Sequence, residues 1–413
     1  MFAPAFPPFA NPEAIVNGKL ALSILQAGWH VDIITRNFAE EWKGYNYGSA
    51  WIEPWLSLKD QTHIVSYKTK YKFTQRLDTA WCGLQMRHPV NGCRWASHAF
   101  ELAIKLHMEK QYDVILSRSL PEYGHLPALN FARYTKLPWI ANWNDANYLK
   151  APPPAGDGVD AKLGFFLERY LMEVARTASW HTFPSDRMRH HICGYLKNGT
   201  EDKSSTIPHI ALKKEAILNH KKNKVFTLCY AGNLYAGRDP KLLFDGLKSF
   251  LESIKLQDGF KLILVGLESI GLKDLVKDYD LENNISITGP VSYAETLKFC
   301  VSSDILIILE EPFIDGIFLP SKFIDYVQTG KPVMAISPIN GTLRDILTKY
   351  GGGIAVDCTS VTEITNALIE LYDMWQHDKI NDIYSSEKLF QLFDPKAVVE
   401  IYRGLFDNLL HRY

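Results

Sequence analysis

From Lys224 onward the sequence repeats one pattern: a short apolar run, a break, then a segment with helical periodicity. The runs are VFTLCYA, FKLILVG, ISIT, DILIIL, PVMAI and GIAVD, with about 8 to 15 residues of helical spacing between them. Strands this short and this uniformly apolar are buried on both faces, and helical crossovers between them enforce a parallel sheet. The pattern predicts a doubly wound α/β domain, in which ligands bind outside the carboxyl ends of the strands.

The first half opens in the same way. MFAPAFPP reads as the last residues of a strand and its loop, which implies a truncated chain or an unusually short first strand. Pro12 to Ala27 has helical periodicity, and Val31 to Thr35 reads as a buried strand. Further strands are expected at Asp113 to Ser117, Pro138 to Asn142 and in SWHTF, with helices near Trp95 to Glu109, Tyr123 to Tyr134 and Lys162 to Thr177. The stretch from about 40 to 94 departs from this alternation. There Trp42, Tyr45, Tyr47, Trp51, Trp55, Tyr67, Tyr71 and Trp81 alternate with Lys68, Lys70, Lys72 and Arg76, and regular patterning is weak. Such an insert serves as a lid over a lipid-linked acceptor, as a contact with an anionic membrane face, or as packing on its own domain. APPPAGDG, from Ala151 to Gly158, is a loop.

A chain of 413 residues is too long for one core. The polar stretch KNGTEDKSS, Lys197 to Ser205, is the linker candidate. The expected division is 1–205, with the aromatic insert at about 40–94, then 206–390, then a tail at 391–413 whose helix, Pro395 to Leu410, packs back toward the N-terminal domain. Forty-five basic against 46 acidic residues leave a net charge of −1, so no global field favours nucleic acid. No apolar run reaches the roughly 18 residues of a membrane span and no signal peptide is visible. Six scattered cysteines then read as reduced thiols of a cytoplasmic protein.

Two stretches offer chemistry. In FLPSKFIDYVQTGKPV, Phe318 to Val333, Ser321 reads as the N-cap of a helix closed by Gly330 and Pro332. Lys322, Asp325 and Thr329 share one face, and Phe323, Ile324 and Val327 the other. A lysine in the first turn suits an anion such as phosphate, and Asp325 can accept hydrogen bonds from neighbouring hydroxyls. The plainer reading is an amphipathic helix with a solvated polar face. In YAGNLYAGRDP, Tyr230 to Pro240, a strand ends, Gly232 turns the backbone, and Arg238 stands before a helix start, where guanidinium and helix terminus suit a diphosphate. Sheet topology puts Arg238 and Lys322 on the same edge.

These residues, with LILVG, ISITGPVSYAETLKFCVSSDILIIL and GGGIAVD, resemble in order and spacing the C-terminal half of GT-B glycosyltransferases, most closely the retaining group often called family 4. FPPFANPEAIVNGKLALSILQAGWHVDIIT and PWIANWNDAN are similar to that family's acceptor-side loop and to a strand ending in a His-Asp or Arg-Asp pair. The resemblance implies a GT-B fold, two Rossmann-like doubly wound α/β domains facing each other across a cleft. It implies Arg238 and Lys322 on the diphosphate of a nucleotide-sugar donor and Asp325 on the ribose. Gly232, Asn233, Gly266 and Ser321 would line the donor site, and Gly289 and Pro290 would lie near the base. Asn11, Glu13 and Asn144 would face the acceptor, and Asp145 the reacting sugar. Departures are Ile317 where the family has the first of two acids, Asn233 for a basic residue and Asn144 for His or Arg; Glu310 and Glu311 lie too early to replace the missing acid. A subgroup with a PSK-type motif also lacks that acid.

The resemblance implies metal-independent hexosyl transfer without a cofactor, from a UDP- or GDP-linked sugar to a glycan or lipid-linked glycan, in polysaccharide biosynthesis, with possible contact at the inner membrane face. In a retaining transfer the leaving diphosphate takes the acceptor's proton, so the cations on it carry the catalysis. An inverting transfer would need a base, for which Glu13 and Asp145 are the candidates. The alternatives are a GT-B epimerase, for which the required cleft acids and histidines are not evident, and a degenerate protein that binds a sugar nucleotide or a partner without turnover. Asp278 and Asp280 form a DxD that ends a helix, and His190 and His191 are adjacent on a helix; neither pair is assigned to metal.

Overall fold

A computed structural model of the chain describes all residues except 10, 39–50, 68–70, 146–163, 198, 213–221, 235–237, 255–258, 267–270 and 413. The chain divides into two compact units: Met1–Lys150 with Asp160–Ile210 and Pro395–Tyr413, and a second whose described part falls within Ala211–Asp394.

In the first unit α1 (Pro12–Gln26) leads to β1 (Ile33–Arg36) and β2 (Thr62–Val65), followed by α2 (Lys72–Gln85), α3 (Cys93–Lys110) and β3 (Ile115–Ser119). Then come α4 (His125–Thr135), β4 (Trp139–Trp143), α5 (Phe165–Thr177), β5 (Trp180–Phe183), α6 (Asp186–Leu196) and β6 (Ser204–Thr206). All strand pairs are parallel. Phe2 bridges Ile34 on one side and Ser117 on the other, so the first residues join the pair β1–β2 to the series β3–β4–β5–β6. The amide of Phe2 donates to Leu116 O at 2.8 Å and that of Ala3 to Ile34 O at 3.0 Å, so this segment takes a strand's place between β1 and β3.

The second unit holds β7 (Phe226–Ala231), α7 (Lys241–Ile254), β8 (Phe260–Val265), α8 (Leu272–Asp278), β9 (Ile285–Ile287), α9 (Tyr293–Ser302), β10 (Ile305–Leu309), α10 (Ser321–Thr329), β11 (Val333–Ser337), α11 (Thr342–Tyr350), β12 (Gly353–Asp357), α12 (Val361–Gln376), α13 (Ile380–Ile383) and α14 (Glu387–Phe393). The six strands expected from the apolar runs form one parallel sheet in the order β12-β11-β10-β7-β8-β9. Successive side chains go to opposite faces. Leu228, Tyr230, Leu262, Ile307 and Met334 pack under α7 and α12. Cys229, Ile263, Leu306, Ile308 and Ala335 pack under α10 and α11. Both faces are covered, which is why the runs are apolar throughout instead of alternating. The last helix, α15 (Pro395–Leu410), belongs to the first unit.

Several expectations are corrected. The stretch taken as a linker contains β6, whose Ser204, Ser205 and Thr206 are half-buried at a sheet edge; a polar edge strand reads as a loop in sequence. The unit boundary falls at Ile210. Ser321 is the first helical residue of α10 and not its cap: Pro320 is the N-cap, extended at φ −61° and ψ 131°, and no side chain caps it. Thr329 leaves the polar face and is buried, its hydroxyl turned back to Tyr326 O at 2.6 Å. The aromatic insert holds β2 and α2, while its Trp42, Tyr45, Tyr47, Lys68 and Lys70, like the 151–158 loop, lie outside the described residues. All six cysteines are free and buried.

Candidate functional site

In the second unit a glycine follows each of three adjacent strands at its carboxyl end: Gly232 after β7, Gly266 after β8 and Gly289 after β9. Gly232 adopts φ +134°, and a Cβ there would stand 2.5 Å from Lys322 Nζ. Gly266, at φ +143°, has no room either, because a Cβ would meet Gly232 O at 2.6 Å. Gly266 is therefore fixed by close approach to backbone as well as by its own conformation, and Gly232 by its positive φ. Gly289 has open space around it, and Pro290 follows it.

Lys322 reaches this edge from the first turn of α10. Its ammonium donates to Tyr230 Oη at 2.9 Å and lies 4.2 Å from the centre of that ring. The Tyr230 hydroxyl in turn donates to Asn233 O at 3.1 Å, which ties the glycine loop to the lysine. Tyr326, one turn further along α10, accepts from Ala231 N at 2.7 Å and donates to Ile307 O at 3.1 Å. That hydroxyl pins α10 to the end of β7 and the middle of β10. Asp325 Oδ1 accepts from the Tyr293 hydroxyl at 2.6 Å, at the start of α9. Burial first, and then the Arg238 guanidinium, push Lys322 down to about 7.

Glu310, the residue after β10, belongs to the same site. Its Oε2 is buried and has no hydrogen-bond partner among the described residues. Burial raises its carboxyl to about 8 even though Arg238 and Lys322 pull the other way. Its position at the carboxyl end of an apolar strand is the signal for it in the sequence. Two cations and one neutral acid around an open, glycine-lined strand edge suit a polyanion: the backbone can approach closely and the charge is preorganised.

The first unit brings together most of the other candidates. Glu13, in the first turn of α1, accepts from Asn144 Nδ2 at 2.8 Å, just past β4. Arg118 of β3 donates through Nη2 to Asn144 Oδ1 at 3.2 Å and through Nε to Asn17 Oδ1 at 2.6 Å, and Tyr402 of α15 is hydrogen-bonded to it. Burial raises Glu13 to about 7 against the lowering pull of Asn144 and Arg118, while Asp145 adds a raising charge. Asn11 caps α1, accepting from Ala14 N at 2.7 Å. Arg118, Asn17 and Tyr402 were not foreseen; a lone arginine at the end of DVILSRS was the one visible sign. Among the described residues one trio of metal-ligating type, Asp78, Cys82 and His98, lies within mutual reach, but it shares no residue with either cluster, and Asp78 is held by Arg94 Nε at 2.6 Å.

Two doubly wound units, one carrying this polyanion edge, define a protein of the two-domain Rossmann-like GT-B fold. The chain superposes on sucrose-phosphate synthase from Thermosynechococcus elongatus with a TM-score of 0.65 over 98% of this chain and 95% of that one, at 16% identity. It superposes on a glycosyltransferase from Rickettsia africae at 0.64 over 96% and 95%, at 13% identity. A third match is HepE from Anabaena, solved in complex with UDP and glucose, at 0.63 over 95% of each chain and 12% identity. Residues 213–386 match the model of the family described as glycosyl transferases group 1. No curated protein matches the chain.

Proposed function

We propose that the protein is a metal-independent hexosyltransferase that moves a sugar from a UDP- or GDP-linked donor to a glycan or lipid-linked glycan, with retention, in cytoplasmic steps of cell-surface polysaccharide assembly. The observation that carries this reading is the Lys322 ammonium held by Tyr230 against Gly232, at a strand edge shared with Glu310 and close enough to Arg238 to feel its charge. Lys322 and Arg238 stabilise the diphosphate as it leaves, Asp325 takes the ribose hydroxyls, and the departing phosphate oxygen accepts the acceptor's proton. Glu13 and Asn144 orient the acceptor hydroxyl, with Arg118 fixing Asn144.

Thermal unfolding of the purified protein against nucleoside diphosphates and their sugars tests the site. A ligand bound by the folded state alone raises apparent stability, so UDP or GDP is expected to shift the transition upward by several degrees. Lys322→Ala and Arg238→Ala are expected to abolish that shift and to lower turnover by about 3 to 4 kcal/mol of barrier, the scale of single preorganised charge stabilisers. Undiminished shifts in both variants would remove the assignment.

A further inference from the structure

The geometry points to α2 as an interfacial helix by which the first unit lies on an anionic lipid bilayer. Its apolar side faces outward: Phe73 is 71% exposed, Leu77 57%, Trp81 66% and Leu84 73%. At helical spacing these four fall within an arc of about 80°, along a helix ~21 Å long. The inward face is polar and small. Cys82 and Gly83 are buried there, Gly83 against Pro89 and Cys93. Asp78 meets Arg94 at 2.6 Å, and Gln85 meets Ser97 at 2.8 Å on α3. An ordinary surface helix has the opposite arrangement. Four large side chains on one exposed stripe form a patch of the kind that marks an interaction site.

Charge selects the occupant. Lys72 and Arg76 are exposed along one flank of the stripe, with Arg87 just beyond its end. Asp78, the one acid of this helix, is engaged by Arg94 on the inner face. An apolar stripe that carries a Trp along one edge and cations beside the other fits the boundary between acyl chains and anionic headgroups. Among the described residues no helix is long and apolar enough to cross a membrane, so this contact is peripheral. It does not depend on the reading of the second unit as a donor site.

Flotation of the full chain with vesicles tests it. The protein is expected to rise with phosphatidylcholine vesicles containing 30 mol% phosphatidylglycerol, and roughly tenfold less with phosphatidylcholine alone or in 0.5 M NaCl. Phe73→Ser combined with Trp81→Ser is expected to abolish binding; Lys72→Glu combined with Arg76→Glu is expected to remove the preference for anionic lipid. All four positions are solvent-exposed, so unchanged melting curves serve as the folding control, and Leu77→Asp gives an independent loss of binding. No flotation of the wild type at low salt overturns the proposal, as does equal flotation of the Phe73/Trp81 variant. A concentration-dependent dimer that this variant dissolves, without vesicle binding, overturns it in favour of self-association.

Discussion

A nucleoside diphosphate brings negative charge against Lys322 and Glu310, so it binds best when both carry their protons. Lys322, lowered to about 7, gives up its proton first as pH rises, and Glu310, raised to about 8, ionises next. Each step sets the site against the ligand. UDP affinity is therefore expected to fall by more than tenfold between about pH 6.5 and 9, as one charge of attraction is lost and one of repulsion gained. Glu310→Gln is expected to bind as the wild type does at the acid end and to lose affinity less steeply through about 8, measured by calorimetric titration across pH. A decline identical to that of the wild type would mean that Glu310 does not face the diphosphate. The unliganded protein carries the complementary signature. The raised Glu310 contributes stability that is complete below the ordinary carboxylate range and lost as pH rises through about 8. The lowered Lys322 contributes stability that is present above the ordinary lysine range and lost as pH falls through about 7. The two costs coincide between those values. Lys322, Asp325 and Arg238 were legible because helix starts and glycine turns announce themselves locally. Glu310 and Arg118 were not, because the meaning of a charge beside an apolar strand depends on partners that only the fold supplies.

At the scale of elements, the six strands of the second unit were legible because burial on both faces leaves nothing to alternate, and α10 because its core side repeats at helical spacing. What the period could not show is how α10 is held. Tyr326 is on neither face named from the spacing, and its hydroxyl takes the Ala231 amide at the end of β7. Tyr326→Phe keeps the ring and strands that buried amide, at a cost of about 1 to 3 kcal/mol in unfolding free energy. The same change frees the first turn of α10, so nucleotide affinity is expected to fall along with stability. Denaturant unfolding and titration read both, and an unchanged midpoint would show that the clamp carries no energy. The helix α2 was hidden for the opposite reason. Its outward face is the apolar one, so its periodicity pointed away from the core it packs on, and the stretch read as unpatterned.

At the scale of the whole molecule, sequence order and spatial order part at Asp394. The chain completes the second unit with α14, where Phe393 is buried, and then gives α15 to the first unit. The apolar positions of Pro395–Leu410 were enough to predict the helix, and its partners within the first unit are now specific: the Phe406 ring lies 4.8 Å from that of Trp29, and Tyr402 is bonded to Arg118. Val398, Val399, Tyr402 and Leu409 are all buried. At about 1.5 to 3 kcal/mol for each large apolar side chain, their burial is comparable with the entire stability of a domain, about 5 to 15 kcal/mol. A chain ending at Asp394 is therefore expected to lose the native first unit and keep the second, whose sheet and both cores lie within Ala211–Asp394. Limited proteolysis read by mass spectrometry should show cleavage spreading through β1 to β6, while β7 to β12 stay protected and UDP still raises their melting temperature. Protection of β1 to β6 equal to that in the full chain would show that α15 is an accessory to the first unit and not part of its core.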